Sequence, residues 1–151
     1  MIFTFLAVII LVLAIAGCVE EDETPSPSAT ITPHQETTPN INYHADTSVI
    51  SIELSAQGYT VHNVDFTKNQ NGFYVLQVMI DTKGNYDKEV LDAYKIMHKN
   101  GVADYYIVGI ADYEILSSWS FTATKKTLDD FFSGRITEDE YIIQVKSEKL
   151  V

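Results

Sequence analysis

All four prolines of the chain fall within one short segment, and this segment separates two parts of the sequence that differ in character. They are Pro25, Pro27, Pro33 and Pro39, interleaved with serine, threonine and acidic residues. A segment of this composition buries too little apolar surface to offset the conformational entropy that folding costs. We therefore expect a disordered acidic tether over residues 18–42 and a single folded domain over residues 43–151, which is long enough to bury a core.

The part of the chain before the tether is apolar and free of charged side chains. Thr4 is the only polar residue ahead of Cys18, and small residues gather toward the end of the run. The run is shorter than the ~20 residues of a typical membrane-spanning helix. It therefore predicts a signal peptide over residues 1–17. Because this segment has no lysine or arginine, an uncleaved N-terminal helix that anchors the chain stays open as an alternative, as does a buried helix of a cytosolic protein.

The only cysteine of the chain lies where the apolar run meets the acidic tether. The four residues Ile15-Ala16-Gly17-Cys18 resemble the lipobox of prokaryotic lipoproteins, and the acidic Thr/Pro-rich segment that follows is similar to that of archaeal surface lipoproteins. This resemblance implies that Cys18 carries a thioether-linked lipid and becomes the first residue of the mature chain. Two hydrocarbon chains would hold it stably on the extracytoplasmic side of the cell membrane. A lone cysteine also excludes an internal disulfide.

The charge of the chain restricts the partners we expect. Its 21 acidic and 10 basic side chains give a formal net charge of −11. An acidic surface repels phosphate backbones, so we expect no nucleic-acid partner. The expected partners are the membrane, through the lipid anchor, and either an envelope protein or a small-molecule ligand.

The first half of the folded part predicts a helix, a hairpin and a second helix. Residues 46–59 alternate like a strand but also suit a helix that Gly58 ends, and we favour the helix. Two runs rich in β-branched and aromatic residues, 59–67 and 73–81, flank the turn signal Asn71-Gly72 and indicate an antiparallel hairpin. Residues 86–100 carry an apolar stripe at helical spacing, which the following glycine ends.

The second half predicts two strands and short C-terminal helices. Residues 102–112 are a dense apolar strand, and residues 113–123 alternate, with Tyr113, Ile115 and Trp119 on one face. A short helix is expected to start at Thr127, and the capping-box pattern from Thr137 starts a last helix that runs toward Leu150. The order α-ββ-α-ββ-α predicts an α+β fold, with a four-stranded, mainly antiparallel sheet and helices packed on one face.

No residue pattern in the folded part indicates a catalytic, metal or cofactor site. The four histidines share no ligand spacing, so we expect neither a metal nor a cofactor. We accordingly predict a domain that binds or scaffolds at the cell surface without catalysis. The alternative is a small envelope enzyme whose site is assembled from residues far apart in the sequence, namely His62, Asp81, Asp112 and Glu114.

Aromatic residues are the best candidates for a binding patch. They lie on the two strands predicted over 102–123, which we expect to be neighbours, and the candidates are Tyr105, Tyr106, Tyr113 and Trp119. Aromatic clusters across strands usually belong to the core. Where the second face of the sheet is uncovered, the members that point there would form a binding surface.

Overall fold

A computed structural model describes residues 40–150 of the chain. The predicted signal peptide, the lipobox residues Ile15, Ala16 and Gly17, and the lipid-attachment residue Cys18 all lie outside the described residues. In chain order the elements are β1 (His44–Ala45), α1 (Thr47–Ala56), β2 (Val61–Lys68), β3 (Tyr74–Asp81), α2 (Tyr86–Asn100), β4 (Gly101–Val102), β5 (Tyr105–Asp112), β6 (Ser117–Thr124), α3 (Lys125–Phe132), α4 (Glu138–Gln144) and β7 (Lys146–Lys149).

The fold is a mixed α+β fold built on a five-stranded sheet with the strand order β2-β3-β5-β6-β7. The pairing of β3 with β5 is parallel, and the other three pairings of this sheet are antiparallel. β1 and β4 form a separate two-stranded antiparallel sheet. The predicted four-stranded sheet and its element order were therefore wrong. The chain enters β3 and β5 from the same end because α2 carries it back across the sheet, and such a crossover joins parallel strands.

The C-terminal residues contain a strand of the large sheet that sequence reasoning missed. Helix α4 ends at Gln144, and Val145 already has extended dihedral angles. The next four residues then pair with β6, from Thr122↔Lys146 to Trp119↔Lys149. The prediction that one helical face continues to Leu150 was wrong, because β6 offers an unpaired edge that draws the chain into the sheet.

Side chains cap the N-termini of the four helices, and the capping box at Thr137 is the one that the sequence predicts. The Asp46 side chain caps α1, and Asn85 caps α2. Thr137 and Glu140 form a complete capping box at α4. Helix α3 starts earlier than the predicted Thr127, because the Thr124 hydroxyl accepts a hydrogen bond from the Thr127 N–H and acts as its cap.

One face of the large sheet carries the core. Alternate residues of β3 and β5 on this face are buried, and they are Leu76, Val78, Ile80, Tyr106, Val108 and Ile110. They belong to one apolar cluster with residues of all four helices, among them Ile50, Leu54, Tyr94, Met97, Leu128 and Tyr141. The helices of the described chain therefore pack on this face, which we call the inner face.

Residues 113–116 form a hairpin turn and not the first part of a strand. The Asp112 carboxylate accepts hydrogen bonds from the backbone N–H groups of Glu114 (3.0 Å) and Ile115 (3.3 Å), and such local bonds compete with strand pairing. Tyr113 is 65% exposed and Leu116 is 79% exposed. The expected alignment of Tyr113 and Ile115 with Trp119 on one strand face was therefore wrong.

Candidate functional site

The second face of the sheet, which we call the outer face, carries none of the described helices. Its side chains follow from the strand register, in which Met79 lies beside Gly109 and Gly109 lies beside Ser120. The apolar members of this face on β3 and β5, such as Val75 and Ile107, are only half-buried. An antiparallel sheet with a solvated face normally alternates apolar and polar residues. The apolar residues on this face thus set it apart from an ordinary solvated one.

A groove of about 400 Å³ runs across the middle of the outer face. Its apolar wall comes from Met79, Ile107 and Leu150, and Gly109 lies in its floor without a side chain. Polar groups on several strands complete the lining, and they are His62, Asn63, Gln77 and Ser120. This volume falls within the range of about 300–1,000 Å³ that small-molecule sites occupy.

The polar side of the groove is held in place by one carboxylate. The Asp65 Oδ2 atom accepts a hydrogen bond from the side-chain amide of Asn63 and a second, 3.3 Å long, from the amide of Gln77. Among the described residues neither amide oxygen accepts a hydrogen bond, so both remain available to a ligand that donates one.

His62 and Asp81 meet at one end of the groove. The His62 Nε2 atom contacts the Asp81 carboxylate, and the two side chains are 39% and 27% exposed. The Tyr113 ring lies edge-on to the imidazole, with the ring centres 6.2 Å apart. Met79, next to Asp81 in the outer-face alternation of β3, links this pair to the groove wall.

The other two acidic residues of the alternative enzyme site do not join this pair. Asp112 accepts a 2.6 Å hydrogen bond from the Tyr86 hydroxyl of α2, on the helix side of the sheet. This bond, helped by the N–H groups of the turn, lowers the pKa of Asp112. Glu114 lies exposed in the turn. Within residues 40–150, no group of three or more histidine, cysteine or acidic residues is placed to hold a metal ion.

The four aromatic residues predicted as a binding patch do not share one surface. Tyr105 lies on the outer face, whereas Tyr106 is 1% exposed on the inner face. The Tyr106 hydroxyl donates to the Gly101 carbonyl (3.0 Å), and burial raises its pKa to about 12. Trp119 lies beside Ile110 on the inner face, and Tyr113 lies at the hairpin tip. Strand alternation separates these side chains.

Sequence reasoning missed the groove residues Asn63, Gln77, Met79 and Gly109. The run 73–81 is predicted only as one strand of a hairpin, and its composition, apolar at most positions, does not indicate which face is half-exposed. The signal that was present is Gly109, since a glycine inside a strand often marks a site of close approach.

Comparison with protein-family models, with curated proteins and with solved structures gave no match. Among the described helices, none is long and apolar enough to cross a membrane.

Proposed function

We propose that the chain is a membrane-anchored extracytoplasmic lipoprotein whose domain binds a small ligand in the outer-face groove and performs no catalysis. The observation that carries the binding role is the concave groove on the uncovered face of the sheet, with apolar and polar walls. The ligand has an apolar body, which Met79 and Ile107 contact, and a hydrogen-bond donor that reaches the amide oxygens of Asn63 and Gln77.

Size and chemistry together favour a small molecule over a protein partner. The groove is concave, and its volume of about 400 Å³ fits a small molecule. A stable protein interface is broad instead, and it buries about 800 Å² of surface on each partner. The groove lining combines a small number of polar groups with apolar side chains, which is typical of sites that orient a small ligand.

A neutral apolar fluorophore, N-phenyl-1-naphthylamine, tests the groove directly. Its fluorescence should rise on binding to the full chain. Ser120→Leu places a larger side chain beside Gly109 and should weaken binding at least about fivefold, since overpacking costs ~1–3 kcal/mol and this corresponds to a factor of about 5 to 150.

The matched control is Thr122→Leu, two residues further along the same face of β6 and outside the groove lining. It should bind the fluorophore like the parent chain. Equal affinities for the two variants would contradict binding in the groove.

The membrane part of the proposal is supported by the sequence around Cys18. Mass spectrometry of the membrane-extracted protein should find a chain that begins at a lipid-modified Cys18. Cys18→Ser should abolish both the processing and the lipid mass. An intact Met1 together with an unmodified Cys18 would contradict the lipoprotein assignment.

The contact between His62 and Asp81 favours a second candidate, a small envelope enzyme. A carboxylate that orients an imidazole is a common arrangement in general base catalysis. The two functions differ in what happens to a natural ligand that co-purifies with the chain. Mass spectrometry after prolonged incubation should recover it unchanged from a binding protein, whereas conversion that His62→Gln abolishes would support the enzyme.

A further inference from the structure

The first described residues fix the end of the sheet at which the tether joins the domain. The Tyr43 ring stacks on Tyr74, with the ring centres 4.6 Å apart, and its hydroxyl donates to Asp104 Oδ1 at 2.6 Å. Tyr74 begins β3, and Asp104 immediately precedes β5. Residue 40, and with it the covalent link to residues 18–39, therefore lies at the end of the sheet where β3 and β5 begin. We call this end the proximal end.

Two large apolar side chains are exposed at the proximal end. Ile41 is 39% exposed and Phe73 is 43% exposed. The Phe73 ring packs edge-to-face on Tyr105, with the ring centres 5.5 Å apart. All three residues line a shallow depression of about 390 Å³. The depression thus has an apolar side that the packing of aromatic rings holds in place.

The rest of the lining is mostly charged, with three basic and three acidic side chains, and the most exposed of these are basic. Its positive side chains are Lys125, Lys126 and Arg135, and the Lys126 and Arg135 side chains are 84% and 61% exposed. Both of them pair with the one carboxylate of Asp130, so one positive charge of this triad is left over. Arg135 binds Asp130 through Nε, which leaves its terminal N–H groups free to bind a phosphate oxygen.

The other two carboxylates of the depression are less exposed than Lys126 and Arg135 and are oriented by hydrogen bonds. Asp104 accepts from the Tyr43 hydroxyl and the Tyr74 N–H, and Asp129 from Lys125 and His98. Lys68, at the end of β2, adds a further positive charge at the proximal end, with Nζ 5.1 Å from the centre of the Tyr74 ring. With Lys68, the residues named at the proximal end include four basic side chains and three acidic ones, whereas the domain as a whole has more acidic than basic side chains.

We propose that the proximal end docks on the phospholipid surface to which the tether attaches the chain, with Lys126 and Arg135 on lipid phosphates and Ile41 and Phe73 in the interface. The inference rests on the proposed membrane anchor. A flexible tether of about 24 residues has a root-mean-square span of roughly 25–30 Å, which gives the domain a high effective concentration at the bilayer, so contacts too weak to bind a free protein are effective. The opposite end carries Asp112 at the end of β5 and Glu114 in the following turn, and carboxylates are repelled by anionic lipid.

The test uses the full chain in vesicles of phosphatidylcholine and phosphatidylglycerol with brominated acyl chains, which quench tryptophan at short range. Trp119, the only tryptophan, is first replaced by phenylalanine. Phe73→Trp then reports on the proximal end, and Leu116→Trp reports on the hairpin tip at the other end. We expect strong quenching of the tryptophan at 73 and none of the tryptophan at 116.

A charge reversal tests the role of the basic residues. In the Phe73→Trp chain, Lys126→Glu with Arg135→Glu should abolish the quenching, since each basic residue near an anionic surface contributes roughly fivefold to binding. The matched control, Lys88→Glu with Lys149→Glu, makes the same change in charge elsewhere and should leave the quenching in place. High salt on the Phe73→Trp chain should reproduce the loss without the charge reversals, which could unfold the domain.

The outcomes separate this inference from the function on which it rests. If the chain floats with the vesicles but the tryptophan at 73 is not quenched, docking is contradicted while the anchor stands. Quenching at 116 alone would also contradict it and assign the membrane contact to the hairpin tip. If the chain does not float with the vesicles, the membrane anchor itself fails.

Discussion

The Met79 side chain lies directly over the backbone of Gly109. A Cβ atom at Gly109 would come within 2.7 Å of Met79 Cε and 2.8 Å of Sδ. The φ of Gly109 does not lie in the left-handed region, so only the steric clash with Met79 disfavours a side chain at this position. Methionine is flexible enough to fill an irregular gap of this kind. The pair therefore sets the depth of the groove on the outer face.

Gly109→Ala should destabilise the domain by about 1 kcal/mol, because the new methyl group pushes Met79 aside. In a Met79→Ala background the same substitution should be neutral or stabilising, since the clash is gone and alanine lowers the entropy of the unfolded chain. Urea unfolding of the four chains gives the coupling energy. Equal effects of Gly109→Ala in both backgrounds would show that Met79 is not what excludes a side chain.

Glu89→Ala should destabilise the domain by about 2–4 kcal/mol. Glu89 is 2% exposed, and its carboxylate accepts hydrogen bonds from the Thr82 hydroxyl (2.9 Å) and from the N–H groups of Lys83 (2.7 Å) and Asn85 (3.1 Å). Removing the carboxylate leaves these donors of the β3–α2 loop unsatisfied. Asp87→Ala, an exposed acid in the same helical turn, is the matched control and should cost less than ~1 kcal/mol by chemical denaturation.

Acidification should reduce the free energy of unfolding through Asp112. The Tyr86 hydroxyl holds the pKa of Asp112 below its ordinary value of 3.8, so the unfolded chain binds the proton more readily. The stabilisation is therefore fully present above that value and is lost as the pH falls through the lower pKa of the folded state. Urea unfolding at a series of pH values below about 5 measures the decline.

Asp112→Asn keeps the turn-forming oxygen but cannot titrate, so its unfolding free energy should decline less with acid than that of the parent. Glu148→Gln, an exposed acid of β7 that accepts no hydrogen bond among the described residues, should leave the parent slope nearly unchanged. Parallel acid profiles for the parent and Asp112→Asn would refute the assignment to Asp112.

Local patterns in the sequence predicted local structure well. The capping box at Thr137 depends on residues within one helical turn, and the first hairpin depends on its Asn71-Gly72 turn. Each of these features is decided by short-range sterics and hydrogen bonds. These features could therefore be predicted from the sequence without knowledge of the rest of the fold.

Features that depend on distant partners were missed. The residues of β7, Lys146–Lys149, have little preference for a strand and form one because the edge of β6 is available. Strand alternation puts Tyr105 and Tyr106 on opposite faces, but which of the two is buried depends on the face that the helices cover, and that face is set by packing across the whole domain. The groove depends on Gly109 lying beside Met79 in a parallel pairing that the sequence analysis did not anticipate.

Leu116→Asn should raise the free energy of unfolding by about 0.5–1 kcal/mol. Leu116 has a φ of +48° and is the only described residue other than glycine with a positive φ. A leucine is strained there, whereas asparagine adopts this conformation more readily. Its side chain is 79% exposed, so little burial is lost in exchange.

Ile115→Asn is the matched control for this last substitution. Ile115 is 66% exposed in the same turn without a positive φ, so the free energy of unfolding should change little. Thermal or urea unfolding of both variants measures the difference. If Leu116→Asn is no more stable than Ile115→Asn, contacts of the leucine side chain must offset the strain, and the apolar hairpin tip then contributes to the stability of the domain.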